Sequence, residues 1–184
     1  MGSEVQGDKT TLVVNLYGSP GVGKSTCASY IYSKLKFNHI NSELVTEFAK
    51  DLVWENNSTA LKDQIYILGN QSYKQSKLKG KVDVIITDSP IMLATVYTDE
   101  KLQPEYNKLA CKIDNEYISI NYFLIRDKPY NPIGRLQTET QSNELSKKIR
   151  NMLDNYKINY EEILANEVGC DKIIQDIIRC YRFS

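Results

Sequence analysis

Eight consecutive residues carry the plainest chemistry in this chain: Gly18-Ser19-Pro20-Gly21-Val22-Gly23-Lys24-Ser25. They fit GxxxxGK[ST] at every fixed position, after an apolar run and before a helical stretch. Glycines let the backbone turn so that successive N–H groups converge on a phosphate. The N-terminus of the following helix adds its positive dipole end. Lys24 is placed to reach β- and γ-phosphate oxygens, and the Ser25 hydroxyl to ligate Mg²⁺. Thr26 supplies one further hydroxyl, which serves equally well as an ordinary residue of the helix start.

Two carboxylates stand at the ends of other strand-like runs. Asp88 closes the apolar run Val84-Ile85-Ile86-Thr87. In a sheet that also carries the phosphate loop, it would hold Mg²⁺ or orient and deprotonate an acceptor hydroxyl. Glu47 follows a shorter strand and has two readings. It is a general base facing an acceptor, or a carboxylate favoured by the dipole at a helix start. Lys50 either meets an acceptor phosphate or pairs with Glu47 at i, i+3. A third group lies in the polar stretch 126–143, which holds two of the five prolines. There Arg135 follows Gly134, so its side chain can swing over a site and meet charge developing on a γ-phosphate. Closure of such a loop would also exclude water. Arg126 is a second candidate, and Arg150 reads as a surface charge.

These groups need elements to hold them. Residues 11–17 are short, β-branched and stopped by glycine, which predicts a buried strand. Further strands are expected at 42–46, 82–88, 119–125 and 158–163. Helices are expected at 24–36, 47–54, 60–78, 105–117, 144–156 and 172–180. In the helix over 60–78, Leu61, Ile65, Leu68 and Tyr73 are the inward candidates, with Ser58 or Thr59 as its cap. Apolar strands alternating with helices predict a mostly parallel sheet covered on both faces. Such sheets bind ligands beyond the C-terminal ends of their strands, where the phosphate loop, Glu47 and Asp88 all fall. Residues 1–10 read as a flexible N-terminus and 11–184 as one domain, with a lid at about 126–143.

Composition narrows the class. The chain has 184 residues, enough for one compact domain. Lys plus Arg number 23, as do Asp plus Glu, so the net charge is zero. That argues against coating nucleic acid or an anionic membrane by bulk charge. No apolar run approaches the ~20 residues of a membrane span, and no signal pattern opens the chain. The expected location is the cytoplasm. The four cysteines lie far apart, and with the single His39 they form no zinc set; they read as reduced packing residues. The stretch Asn107-Lys108-Leu109-Ala110 lacks the Asp of a guanine-reading NKxD motif. AAA and helicase modules usually run longer, so a small-molecule kinase fits the length best.

In their order along the chain, these residues resemble a known group of P-loop kinases. They are the phosphate loop, Glu47-Phe48-Ala49-Lys50, Asp88-Ser89, and Pro129-Tyr130 followed by Gly134-Arg135. The group includes ribosylnicotinamide kinases and small phage-encoded nucleotide kinases. Lys50 stands where the group usually has Arg, and the lid lacks its usual Asp. The resemblance implies a single α/β kinase domain with a mostly parallel five-stranded sheet in the order 2-3-1-4-5. It also implies ATP and Mg²⁺ as cofactors, with Ser25 and Asp88 on the metal.

Three functions compete. The first is a kinase for a nucleoside or nucleotide, including ribosylnicotinamide. Gln64 and Gln71 would then be available to a base edge, and Trp54, Tyr66 or Tyr73 to a base face, although such aromatics are more often core. The second is a kinase acting on a hydroxymethylated base in phage DNA, for which Lys74, Lys77, Lys79 and Lys81 form the best basic patch. The third is a regulatory ATPase that transfers phosphate to no acceptor. The acceptor's identity and the oligomeric state are left open, a homo-oligomer among the options.

Overall fold

The computed structural model describes residues 10–130 and 138–182. Five parallel strands form one sheet: β1 (Leu12–Tyr17), β2 (Ser42–Val45), β3 (Val84–Thr87), β4 (Ile118–Ile125) and β5 (Glu161–Leu164). Their order is β2-β3-β1-β4-β5, as the resemblance to the P-loop kinase group implies. The helices are α1 (Lys24–Phe37), α2 (Phe48–Trp54), α3 (Ser58–Lys62), α4 (Gln64–Ser76), α5 (Gln103–Asp114), α6 (Glu139–Asn155) and α7 (Glu167–Arg182). A 3₁₀ helix at Ile91–Val96, which the sequence reading lacks, follows β3.

Strand side chains alternate between faces, and the core divides accordingly. Val14 and Leu16 of β1, Val84 and Ile86 of β3, and Tyr122 and Leu124 of β4 pack under α1 and α7. Tyr17 and Phe123 point the other way, onto Ile91, Met92, Tyr106, Ile149 and Leu153. Val13 and Ile85 complete that second face near Val45 and Val82. Burial on both faces explains why these strands read as continuous apolar runs rather than alternating ones.

The register positions the site. Asn15, Thr87 and Val45 stand level across β1, β3 and β2. Asp88 leaves β3 one residue later, Glu47 leaves β2 two later, and Gly18 leaves β1 three later. The chain therefore releases its phosphate loop and both carboxylates at one edge of the sheet.

Two expected helices differ in detail. The helix over 60–78 is two helices, because the Asp63 carboxylate accepts the Tyr66 N–H and starts α4 afresh. Asn57, not Ser58 or Thr59, caps α3. On α4 the buried positions are Leu68, Gln71 and Gln75, while Ile65 and Tyr73 are exposed. Helix α6 begins at Glu139 rather than Glu144. Thr138 and Gln141 form a capping box there, so residues 139–143 are helix and not lid.

Candidate functional site

The phosphate loop joins β1 to α1 as its motif predicts. Gly18 has φ of 148° and Gly21 of 81°, a region that side chains rarely adopt. Space is also refused: a Cβ on Gly18 would come within 2.8 Å of Val22 Cγ1, and one on Gly21 within 2.8 Å of the Tyr130 ring. Lys24 Nζ donates to the Gly18 carbonyl at 2.8 Å and lies 3.4 Å from the Ser19 carbonyl. The ammonium thus rests on the loop's own oxygens, within the turn that would surround a phosphate.

Behind the loop stands a brace that the sequence argument missed. Ser142 of α6 is fully buried. Its hydroxyl donates to the Pro20 carbonyl at 2.8 Å and lies 3.0 Å from Ser19 Oγ. It also accepts from Arg126 Nη2 at 2.9 Å. Arg126 Nη1 pairs with Glu139 at 3.0 Å, and the guanidinium covers the Tyr130 ring. Arg126 therefore ties the end of β4 and the start of α6 to the back of the loop. Ser142 could have been flagged only by its position four residues into a capped helix, which says nothing about the loop it touches.

The two carboxylates come together but play unequal parts. Asp88 is buried, and its Oδ1 accepts the Glu47 N–H at 3.0 Å. Glu47 occupies the N-cap position of α2, yet its side chain bonds none of that helix's amides. It lines a cavity of about 640 Å³ instead. That cavity runs from Lys24, Ser25 and Thr26 past Glu47 and Lys50 to Val53, Trp54, Gln64 and Gln71, with Ser89, Leu93 and Tyr97 opposite. Partial burial pushes the Tyr97 hydroxyl up to about 12, and the charge of Glu47 adds to the shift. Lys50 lines the same cavity.

Other expected positions resolve as follows. Trp54 is 72% exposed at the cavity wall, and Tyr66 packs edge-on against Phe48, so neither is a core aromatic. Tyr73 points away and is exposed. Of the lysine patch, Lys74 pairs with Asp51 and Lys79 with Glu116, which halves its free charge. Arg150 is more than a surface charge, since it pairs with Glu162 and stacks on Phe123. Gly134 and Arg135 lie outside the described residues. Ser25 and the acceptor-only carboxylate of Asp88 are hard oxygen donors of the kind Mg²⁺ takes. Among the described residues, no group of three His, Cys, Asp or Glu is placed to hold a metal. Nor is any helix there long and apolar enough to cross a membrane.

A solved structure shares this architecture. A NadR protein in complex with NAD and AMP-PNP superposes with a TM-score of 0.67 at 13% identity, over 95% of this chain. This chain spans 50% of that one. An APS kinase CysC mutant from Mycobacterium tuberculosis matches more loosely, with a TM-score of 0.42 at 20% identity, over 79% of this chain and 99% of that one. Among curated proteins, no sequence match is found. The model of one family, described as an AAA domain, matches residues 13–168. Chain length therefore does not set AAA modules aside, as the sequence argument held. The match takes in the phosphate loop, both carboxylates and all five strands, and the chain belongs to that AAA domain family.

Proposed function

We propose that the protein is an ATP- and Mg²⁺-dependent phosphotransferase that moves the γ-phosphate of ATP to a hydroxyl of a nucleoside or nucleotide-like acceptor. One observation carries this reading. The phosphate loop does not open to bulk solvent alone but into a cavity of about 640 Å³ that Glu47 also lines. The cavity continues from the loop to Gln64 and Gln71 on α4, which leaves space for an acceptor beside the phosphates.

The chain's residues divide the work. Loop N–H groups and the α1 N-terminus hold the phosphates. Lys24 leaves the Gly18 carbonyl for the β- and γ-phosphate oxygens, exchanging one set of oxygens for a more charged one. Ser25 and Asp88 would hold Mg²⁺, which neutralises phosphate charge when bound. Glu47 faces the cavity, where an acceptor hydroxyl would lie, and takes its proton. Asp88 fixes the Glu47 backbone through its Oδ1. Arg135 is assigned to the developing γ-phosphate charge on its loop position alone.

The test is phosphate transfer from labelled ATP, with Mg²⁺, to a panel of nucleosides, nucleotides, nicotinamide riboside and hydroxymethylated DNA. A labelled small molecule supports the reading. Labelled DNA moves the activity to the base-modifying alternative. Release of ADP and phosphate alone, across the panel, leaves a regulatory ATPase.

A further inference from the structure

Gln71 is a cavity residue whose two polar ends have different duties. It sits on α4 and is 4% exposed. Its Oε1 accepts the Phe48 N–H, the first amide of α2, at 2.9 Å. A backbone N–H only donates, so the oxygen must face Phe48 and the NH₂ is fixed the other way. That Nε2 is buried and has no partner among the described residues. Buried amide donors are nearly always paired, so an orphan calls for an explanation. Gln75, one turn on, also has an unpartnered polar atom, but it does not line the cavity. Gln71 does.

The surrounding wall decides what can meet this donor. Leu68, Ile91, Leu93 and Val53 line the same chamber. A sugar packed against them would leave hydroxyls without partners. A planar ring would lay its faces on carbon and turn one edge to the amide. An amino group at that edge would oppose donor to donor, whereas a carbonyl oxygen would accept. We propose that Gln71 Nε2 donates to a carbonyl oxygen on a planar heterocycle of the acceptor, which makes Gln71 a specificity-determining residue for oxo-bearing over amino-bearing rings. The inference rests on the phosphotransferase reading for its acceptor site, and the experiment separates the two.

Binding to AMP-PNP-loaded protein and transfer from ATP are measured for two matched pairs, inosine with adenosine and uridine with cytidine. The oxo member of each pair is favoured at least about tenfold, because its exocyclic oxygen accepts where the partner's amino group would oppose donor to donor. Gln71→Met keeps the volume, removes the amide, and brings both ratios to within about threefold of one. If Gln71 merely caps α2, both members weaken together and the ratios persist, which overturns the proposal. Gln71→Glu guards against misfolding. It still offers Phe48 an oxygen but turns an acceptor into the cavity, so at pH 8 the preference moves toward adenosine and cytidine. An unchanged oxo preference in that variant also overturns the proposal. Ratios near one in the wild type, or no binding of any of the four, overturn it outright, whatever other acceptor is phosphorylated. Oxo-selective binding without phosphate transfer upholds the role of Gln71 and sinks the phosphotransferase reading.

Discussion

Lys24 holds on to two carbonyls that a bound triphosphate must replace. Removing its ammonium strips charge compensation from the β- and γ-phosphates but leaves the strand and helix around it packed. Lys24→Ala is therefore expected to lower kcat by roughly 10²–10³, about 3–4 kcal/mol of transition-state stabilisation. Its melting temperature stays within a few degrees of wild type. Steady-state turnover and a thermal melt check both halves; wild-type turnover in the folded variant removes the phosphate-loop assignment. The carboxylates can be told apart in the same assay. Asp88→Asn keeps an oxygen for the Glu47 N–H, so it should fold, bind ATP and lose most of its turnover. Glu47→Gln should lose turnover by a comparable factor, with the pH–rate profile losing its acidic limb, because the proton acceptor itself is gone. If Glu47→Gln keeps its kcat and Asp88→Asn does not, Glu47 is not the base and the base or metal role falls to Asp88 alone. These residues were legible in the sequence as chemistry at strand ends. Their division of labour was not, because it depends on which carboxylate the Glu47 amide claims.

At the scale of elements, the site depends on α6 being docked behind the phosphate loop. Ser142 is the joint, with Pro20, Ser19 and Arg126 around one hydroxyl. Ser142→Ala leaves the Pro20 carbonyl and an Arg126 N–H short of partners in a buried place. The cost is about 1–3 kcal/mol. For a domain of this size, that corresponds to a melting temperature lower by roughly 2–12 °C. KM for ATP should rise as well, since the loop loses its backing, while kcat at saturating ATP changes little. Calorimetry and ATP titration measure the two effects; a variant with both unchanged would show the brace to be incidental. The start of α6 was readable in principle from Thr138-x-x-Gln141. A polar, proline-bearing stretch has the composition of a loop, and composition does not register a cap at its end. The break between α3 and α4 was lost for a similar reason. Asp63 interrupts a helical pattern by offering Tyr66 N–H a side-chain acceptor, a competition that apolar spacing does not register.

At the scale of the whole molecule, stability depends on pH through a carboxyl that takes no part in the site. Asp114 ends α5, and burial pushes it up from 3.8 to about 6. Burial pushes the Tyr17 hydroxyl upward, and the charge of Asp114 adds to that shift. Between those two values the folded protein holds a proton that the unfolded chain releases. The folded state thus binds more protons there, and stability falls as pH rises through the window. The penalty is complete above about pH 6 and absent below the ordinary carboxyl range. Asp114→Asn should therefore stabilise the protein at pH 7.5 by on the order of 2 kcal/mol, or roughly 4–8 °C. It should do nothing near pH 3.5. Melting curves of both proteins across pH decide the matter, and parallel curves would show that Asp114 is solvated.

The sequence by itself determined the phosphate loop, the strand identities and the two carboxylates at strand ends. Each follows from local rules. Glycine and lysine spacing, apolar runs and a stop residue need no knowledge of distant contacts. Only the tertiary structure decided which side chains share a chamber. Gln71 and Gln64 look alike in the sequence, as do Ser142 and its neighbours on a polar helix. Gln71 matters because α2 lays its first amide against it, and Ser142 because α6 lands on the loop after β1. Such pairings join residues 23 and 122 positions apart. No periodicity along the chain encodes them, since they are set by how the elements pack once the sheet has formed.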